Sequence, residues 1–400
     1  MSFERAYEGL RVVDLSQGVA GPYCGMMLAQ HGAKVIKVEP HEGDWARILG
    51  RNQGGHSAFS VPSNLGKRSI ALDLKSDEGR EIVERMLEGA DIFIEGFRPG
   101  VIDRLGFSYD RLKKLNPELI YLSVSGFGQT GPLSKKPAMD PVLQAFVGAM
   151  DENRGHDGIP HRSPVVYFDM ATALYSLQAV AAALYARREG HGGRRINISL
   201  MEAAANITTI RLQSYYRDGL FKNMAAPSGT FTTKDGWIQV VALKDHEYQK
   251  ACKALGLTDL ATDPRLQKSA GRSQHLDLIN NRAIEVLKTK TSMEWRDILT
   301  KAGVQNEIMQ NYCEFIEHPH TAATGLISWL PQAGWDTPWP VPNLPGIPQL
   351  EEGQPLAISP VKGQHSRELL AEFGYPSEGI EELFTSGIVL EPCHDEPSND

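Results

Sequence analysis

The chain has 400 residues, and its 41 Lys and Arg against 49 Asp and Glu leave a formal net charge of −8, which argues against a general nucleic-acid binder. Hydrophobic residues at 41% and charged residues at 22% exclude a wholly disordered chain, and the length suits two or three domains or one large α/β domain with an appendage. The 38 glycines exceed the usual ~7%, a sign of backbone that must approach something closely.

The first third reads as alternating strands and helices. Arg11 to Leu15 is a short apolar run ending at Ser16-Gln17-Gly18, and Gly21-Pro22 opens a helical stretch that Gly32 closes before a second strand at Lys34–Val38. Strand, glycine turn, helix and strand make a βαβ unit, the building block of a parallel sheet. Further strands are predicted at Ser69–Leu72, Asp91–Glu95 and Leu119–Ser125, with helices at about 77–89, 100–105 and 109–115. From Asp169 to Arg188 the chain is rich in Ala and Leu without Pro or Gly, which predicts a long helix. Gly190–Gly193 stops it, and a strand at Arg194–Leu200 leads into the helical stretch MEAAANITTIRLQSYY.

The pattern then changes. Gly229–Thr233, Lys234-Asp235-Gly236 and Trp237–Leu243 read as a β-hairpin with Asp-Gly in its turn. Helices near 245–255, 270–288 and 292–302 make 225–320 a second, smaller domain. Prolines at 331, 338, 340, 342, 345 and 348 predict an extended passage over 331–348, and the polar, proline-containing end predicts a frayed tail.

Several chemistries lack an anchor. Cysteines at 24, 252, 313 and 393 are too scattered for a redox or zinc pattern. No secretory signal and no run of roughly 18 apolar residues is found, so a cytoplasmic protein without a membrane span is expected. The glycines at 18, 21 and 25 after the first strand do not form GxGxxG, no GxxxxGK[ST] occurs, and there is no GxSxG elbow. His318-Pro-His320 has no third ligand, so no metal site is predicted. Gly18 and Gly21 still sit where a first strand delivers backbone to a helix N-terminus, which suits either an anion site or a plain tight turn. Lys37, Arg47, Lys67-Arg68, Lys75, Arg98, Arg104 and Lys135-Lys136 recur near strand ends, either as solvated charge or as a phosphate-binding set. Asp169 opens the long helix, where it can be an N-cap or a carboxylate kept ionised by backbone N–H groups and able to act as a nucleophile.

The motifs GLRVVDLSQGVAGP, VIKVEP with GDWAR, NLGKRSIALDLK, ADIFIEGFRPGVIDRLGF, NPELIYLSVSGFGQTGP and FDMATALYSLQAVAAALYARREGHGGRRINISLMEA follow one another in order. Together with GTFTTKDGWIQV and GQHSRELLAEFGYPSEGIEELFTSGIV they closely resemble the family III CoA-transferases, the carnitine-dehydratase/bile-acid-inducible family, over nearly the whole chain. The resemblance implies an α/β fold. Its large Rossmann-like domain would span residues 1–222 and, after a return linker, 326–390, with a small α+β domain at 223–325 and a flexible tail at 391–400. It also implies an interlocked homodimer, with acyl-CoA and a carboxylic acid as substrates and no tightly bound cofactor.

By the same resemblance Asp169 is the nucleophile, passing through an aspartyl acyl anhydride and an aspartyl-CoA thioester. CoA contacts fall at Val19-Ala20, from Leu72 to Lys75, at Gly96-Phe97-Arg98, at Arg104 and from Lys136 to Met139. Arg98, Arg104 and Lys136 would meet phosphates, and Leu72 the adenine. His161, Arg162, Tyr167 and Tyr215 are candidates for an acyl pocket on proximity alone. Val19 stands where some members carry a glutamine that could orient the acyl intermediate. The tetraglycine loop of formyl-CoA transferases is replaced by KNMAAPSGTF, which disfavours oxalate–formate exchange. Acyl-CoA racemases of the family resemble a two-base system with a His in a GHD motif. Here the stretch is Ala138-Met139-Asp140, and methionine transfers no proton. A racemase of 2-methylacyl-CoA and a non-catalytic CoA-binding protein are therefore the alternatives to a transferase.

Overall fold

The computed structural model describes residues 5–155, 157–219 and 225–392. The chain divides into two compact units, one running to Ile210 and resuming at Thr324, the other spanning Arg211–Ala323. The expected boundary at 222/223 lies outside the described residues, as does most of the 391–400 tail.

The large unit is built on a six-stranded parallel sheet. Its strands are β1 (Arg11–Asp14), β2 (Lys34–Glu39), β3 (Arg68–Ala71), β4 (Ile92–Glu95), β5 (Ile120–Ser125) and β6 (Arg194–Ser199), in the order β3-β2-β1-β4-β5-β6. Val12 registers with Val35 on one side and Ile92 on the other, and Ile120 with Ile92 and Arg194. The inner strands β1, β4 and β5 are short, mainly apolar runs and almost wholly buried, as a parallel sheet covered by helices requires, whereas the edge strand β6 is polar and largely exposed. Alternate residues feed two cores. Val12, Ile92, Ile94, Leu122 and Val124 join one, and Val13, Ile36, Phe93 and Tyr121 the other.

On the first face lie α1 (Ala20–Gln30) and the long helix described below. α1 is buried almost along its whole length. Gly25 makes that possible, because a Cβ there would press on the Asp14 carboxylate and Lys67 Nζ. On the second face, α2 (Asp77–Leu87) starts at a Ser76 cap that accepts from Gly79 N at 3.0 Å and buries Ile82, Val83, Met86 and Leu87.

The segment after 324 completes this unit. Leu72 bridges Val389, His365 N donates to Ser69 O at 2.9 Å, and Leu369, Leu370 and Ile380 enter the second core. The proline-rich passage is not uniformly extended. Its Trp339–Pro342 strand pairs antiparallel with Ile327–Leu330, an edge position where missing proline N–H groups cost no ladder bond.

The small unit holds the expected hairpin, Ser228–Thr232 against Trp237–Val241, and a third strand, Gln305–Ile308, that the sequence reading had left out. The helix expected over 270–288 is two helices, Ser269–Arg272 and Leu276–Leu287. The stretch MEAAANITTIRLQSYY likewise breaks between Ile207 and Thr209.

Candidate active site

The strand order reverses between β1 and β4, since the chain winds outward through β2 and β3 and then back through β4, β5 and β6. Ligands of open α/β sheets bind beyond the carboxyl ends of the strands at such a switch point. There the large unit has a cleft of about 470 Å³. Its walls come from the loop after β1 (Leu15 to Gly21, without Gly18), from Gly96 to Pro99 after β4, and from Val124 to Gly126 at the end of β5. Trp45, Ser134, Lys136 to Met139, Asp169 and Leu200 complete it.

Buried charge holds the first of these loops. Lys67 pairs with Asp14 at 2.8 Å, Lys37 with Asp44 at 2.8 Å and Arg47 with Glu39 at 2.7 Å, all essentially without solvent exposure. Asp44 accepts from Gly18 N at 2.8 Å, Lys37 Nζ donates to Ser16 O, and Asp14 accepts from Ser16 N at 3.0 Å and from Ser16 Oγ. Gly18 has φ +84°, and a Cβ there would overlap the Trp45 ring, so only glycine fits. Lys37, Arg47 and Lys67 were candidates for a phosphate-binding set. They are instead the internal counter-charges of this turn and have no face toward a ligand.

Asp169 lies on the cleft wall in the first turn of α4 (Tyr167–Ala186), half-buried, and among the described residues it is the only acid lining the cleft. It does not cap its helix. The cap comes from Asp140, in the first turn of α3 (Asp140–Phe146) and 1% exposed, whose Oδ2 accepts from Phe168 N at 2.7 Å and Asp169 N at 3.2 Å. Gln144 Nε2 donates to the other Asp140 oxygen at 2.6 Å, and Gln144 Oε1 accepts from Ser163 N at 2.8 Å, which ties down the approach to α4. The expectation that backbone N–H groups keep Asp169 ionised is therefore corrected. Those donors face Asp140, and burial followed by the Asp140 charge pushes the Asp169 carboxyl up to about 7.

Of the other sequence candidates, Val19, Ala20, Gly96, Phe97, Arg98, Lys136 and Met139 line the same cleft. Arg98 and Lys136 are exposed, and the Lys136 ammonium lies 5.6 Å from the Phe127 ring centre. Three do not line it. Leu72 is fully buried in the core against the strand that returns at Val389, so its side chain offers no adenine surface. Lys75 and Arg104 are exposed away from the lining. His161, Arg162, Tyr167 and Tyr215 are also absent from it, and Tyr167 packs edge-on to Phe168.

The cleft adds residues that sequence reasoning missed. Gln17 lines it two positions before Val19, so the loop does offer an amide, from a different place. Beneath Phe97, Glu95 is buried. It accepts from Phe97 N at 2.9 Å and from Ser123 Oγ, and burial lifts its carboxyl to about 7.

The CoA-transferase family III model matches residues 7–366. The chain belongs to CoA-transferase family III. It is accordingly a transferase enzyme, and its relatives are of similar length. It is 33% identical over 365 residues to an acetyl-CoA:oxalate CoA-transferase of Acetobacter aceti, covering 86% of this chain and 93% of the relative. It is 30% identical to the succinyl-CoA:glutarate CoA-transferase of Homo sapiens, covering 96% and 89% respectively. The crystal structure of a CAIB/BAIF family protein from Brucella suis superposes with a TM-score of 0.81 at 30% identity, covering 92% of this chain and all of that one. The family's mixed α/β fold with a six-stranded parallel sheet is thus shared.

Proposed function

We propose that this CoA-transferase moves CoA between two carboxylic acids with Asp169 as the covalent carrier. The observation that carries the reading is the Asp169 carboxylate on the wall of the switch-point cleft, with Arg98 and Lys136 on the same walls. The cations take phosphates of CoA, and the glycine-rich backbone after β1 and β4 lets the pantetheine arm reach Asp169. An Asp169 oxygen attacks the thioester carbonyl and the C–S bond breaks, giving an aspartyl acyl anhydride and CoA thiolate. The thiolate then attacks the aspartyl carbonyl, forming an aspartyl-CoA thioester and releasing the donor acid, and an acceptor carboxylate reverses both steps. Water must be kept out while the anhydride exists. The relatives that act with acetyl-CoA, succinyl-CoA, oxalate and glutarate support short organic acids as the substrate class.

Asp169→Ala is expected to abolish exchange while leaving CoA binding in place. Near wild-type exchange by that variant, with a confirmed donor and acceptor, would overturn the assignment. Hydroxylamine should trap the aspartyl thioester as a hydroxamate at residue 169. Met139 on the cleft wall supplies no proton-transfer group, so α-deuterium should not enter a 2-methylacyl-CoA in heavy water without an acceptor acid. Rapid incorporation would favour the racemase.

We further propose a homodimer. Leu174 and Tyr185 on α4 and Ile207 on α5 (Leu200–Ile207) are 56%, 70% and 44% exposed, an apolar surface suited to a second copy of this chain.

A further inference from the structure

Three serines on or beside the cleft have hydroxyls engaged by the protein itself. Ser16 Oγ donates to Asp14, Ser123 Oγ donates to Glu95 and accepts from Gln129 Nε2 at 2.8 Å, and Ser199 Oγ donates to Glu202 at 2.7 Å. Ser125 is different. It is 6% exposed, its Oγ is buried without a hydrogen-bond partner, and it lines the same cleft as Asp169.

Its backbone is held rigidly. Ser125 closes β5 in register with Ser199 of β6, and Gly126 O accepts from Met201 N at 3.0 Å. Gly126 lies so close to Ala138 that a Cβ could not fit, which brings the Lys136–Met139 segment against this corner of the cleft. A buried hydroxyl left without a partner is unfavourable in the free protein and calls for an explanation such as a missing ligand. A serine hydroxyl can donate one hydrogen bond, and a thioester carbonyl oxygen can accept one.

We propose that the Ser125 hydroxyl donates a hydrogen bond to the acyl carbonyl oxygen of the CoA thioester as Asp169 attacks, an inference that rests on the reading of Asp169 above. As the carboxylate oxygen bonds to the carbonyl carbon, the C=O π pair moves onto the carbonyl oxygen, where Ser125 stabilises the developing charge. That pair then re-forms the carbonyl as the C–S bond breaks and its electrons leave with the CoA sulfur. A fixed donor is worth more to the charged oxygen than to the neutral one, so it acts on the rate more than on ground-state binding.

The experiment compares Ser125→Ala, Ser125→Thr and Asp169→Ala. It uses whichever pair of acetyl-CoA or succinyl-CoA with oxalate or glutarate turns over fastest, together with calorimetric titration of free CoA. Ser125→Ala is expected to lower kcat by about 10²-fold, to leave the affinity for free CoA within about twofold, and to melt no lower than wild type. Ser125→Thr, which keeps the hydroxyl, should recover most of the rate. Unchanged kcat in Ser125→Ala beside an inactive Asp169→Ala would overturn the role of Ser125 alone. So would a loss of CoA affinity at undiminished kcat, because the hydroxyl would then serve the pantetheine arm. Retained exchange in Asp169→Ala would remove the covalent-carrier reading instead.

Discussion

Burial, and after it a residue 29 positions away in the chain, raise the Asp169 carboxyl. Asp140 offers its carboxylate to the open end of α4 and thereby places a negative charge beside the nucleophile. With the Asp169 carboxyl lifted to about 7 and the carboxylate form required for attack, kcat/KM of the free enzyme should rise as pH rises through about 7. Asp140→Asn keeps an oxygen for the cap but removes the charge, so that limb should move to lower pH. An unmoved limb would mean that burial alone raises Asp169. Asp140→Ala loses the cap as well and should cost about 0.5–2 kcal/mol of stability. The sign for folding follows from the same shift. A carboxyl whose folded pKa lies above its unfolded value destabilises the fold progressively as pH rises from about 4 to about 7. Asp169→Asn should therefore melt higher than wild type at pH 8, by on the order of 1 kcal/mol, and equally at pH 3. Equal melting at pH 8 would contradict the raised pKa.

The loop after β1 shows how an element is positioned by charges that no reading of composition reveals. Asp44 holds Gly18 N and Ala46 N and neutralises Lys37, which itself holds Ser16 O. Asp44→Ala leaves a buried ammonium without its paired carboxylate and should cost about 3–5 kcal/mol, with a raised KM for CoA. Adding Lys37→Met should restore much of the stability but not the KM, because Gly18 N still lacks its acceptor. Recovery of both would show that the loop needs no holding. The βαβ unit itself was legible, since an apolar run, glycine punctuation and a small-residue helix all point to it. So was the long Ala-rich helix, and Val19, Ala20, Gly96, Phe97, Arg98, Lys136 and Met139, singled out by resemblance, do come together on the cleft walls because they sit in strand-end loops. The buried state of Lys37, Arg47 and Lys67 was not legible, since a cation reads the same whether solvated or paired inside. The strand Gln305–Ile308 was missed because QNEI is polar and half-exposed, with no apolar alternation to announce it. The Asp140 cap was invisible because caps are sought within a few residues of the helix they serve.

For the whole molecule, the exposed apolar residues of α4 and α5 bear on assembly. Light scattering should give twice the 44.1 kDa chain mass. An interlocked pair should also exchange subunits with a differently tagged copy only after unfolding, whereas a face-to-face pair should exchange on dilution. A monomeric mass would overturn the homodimer itself.

The return of the chain after Thr324 has a kinetic consequence during synthesis. The outer edge of β3 and the part of the second core beside it stay uncovered until the segment carrying Leu369, Leu370 and Val389 arrives. At roughly 5–20 residues per second, translating the small unit that intervenes occupies the ribosome for on the order of 10 s. Through that interval the nascent large unit shows an open sheet edge and a partly covered apolar face, so its early life should depend on chaperones that shield such surfaces. Ribosome-bound chains halted before residue 360 should accordingly be far more protease-sensitive in residues 5–125 than released chains.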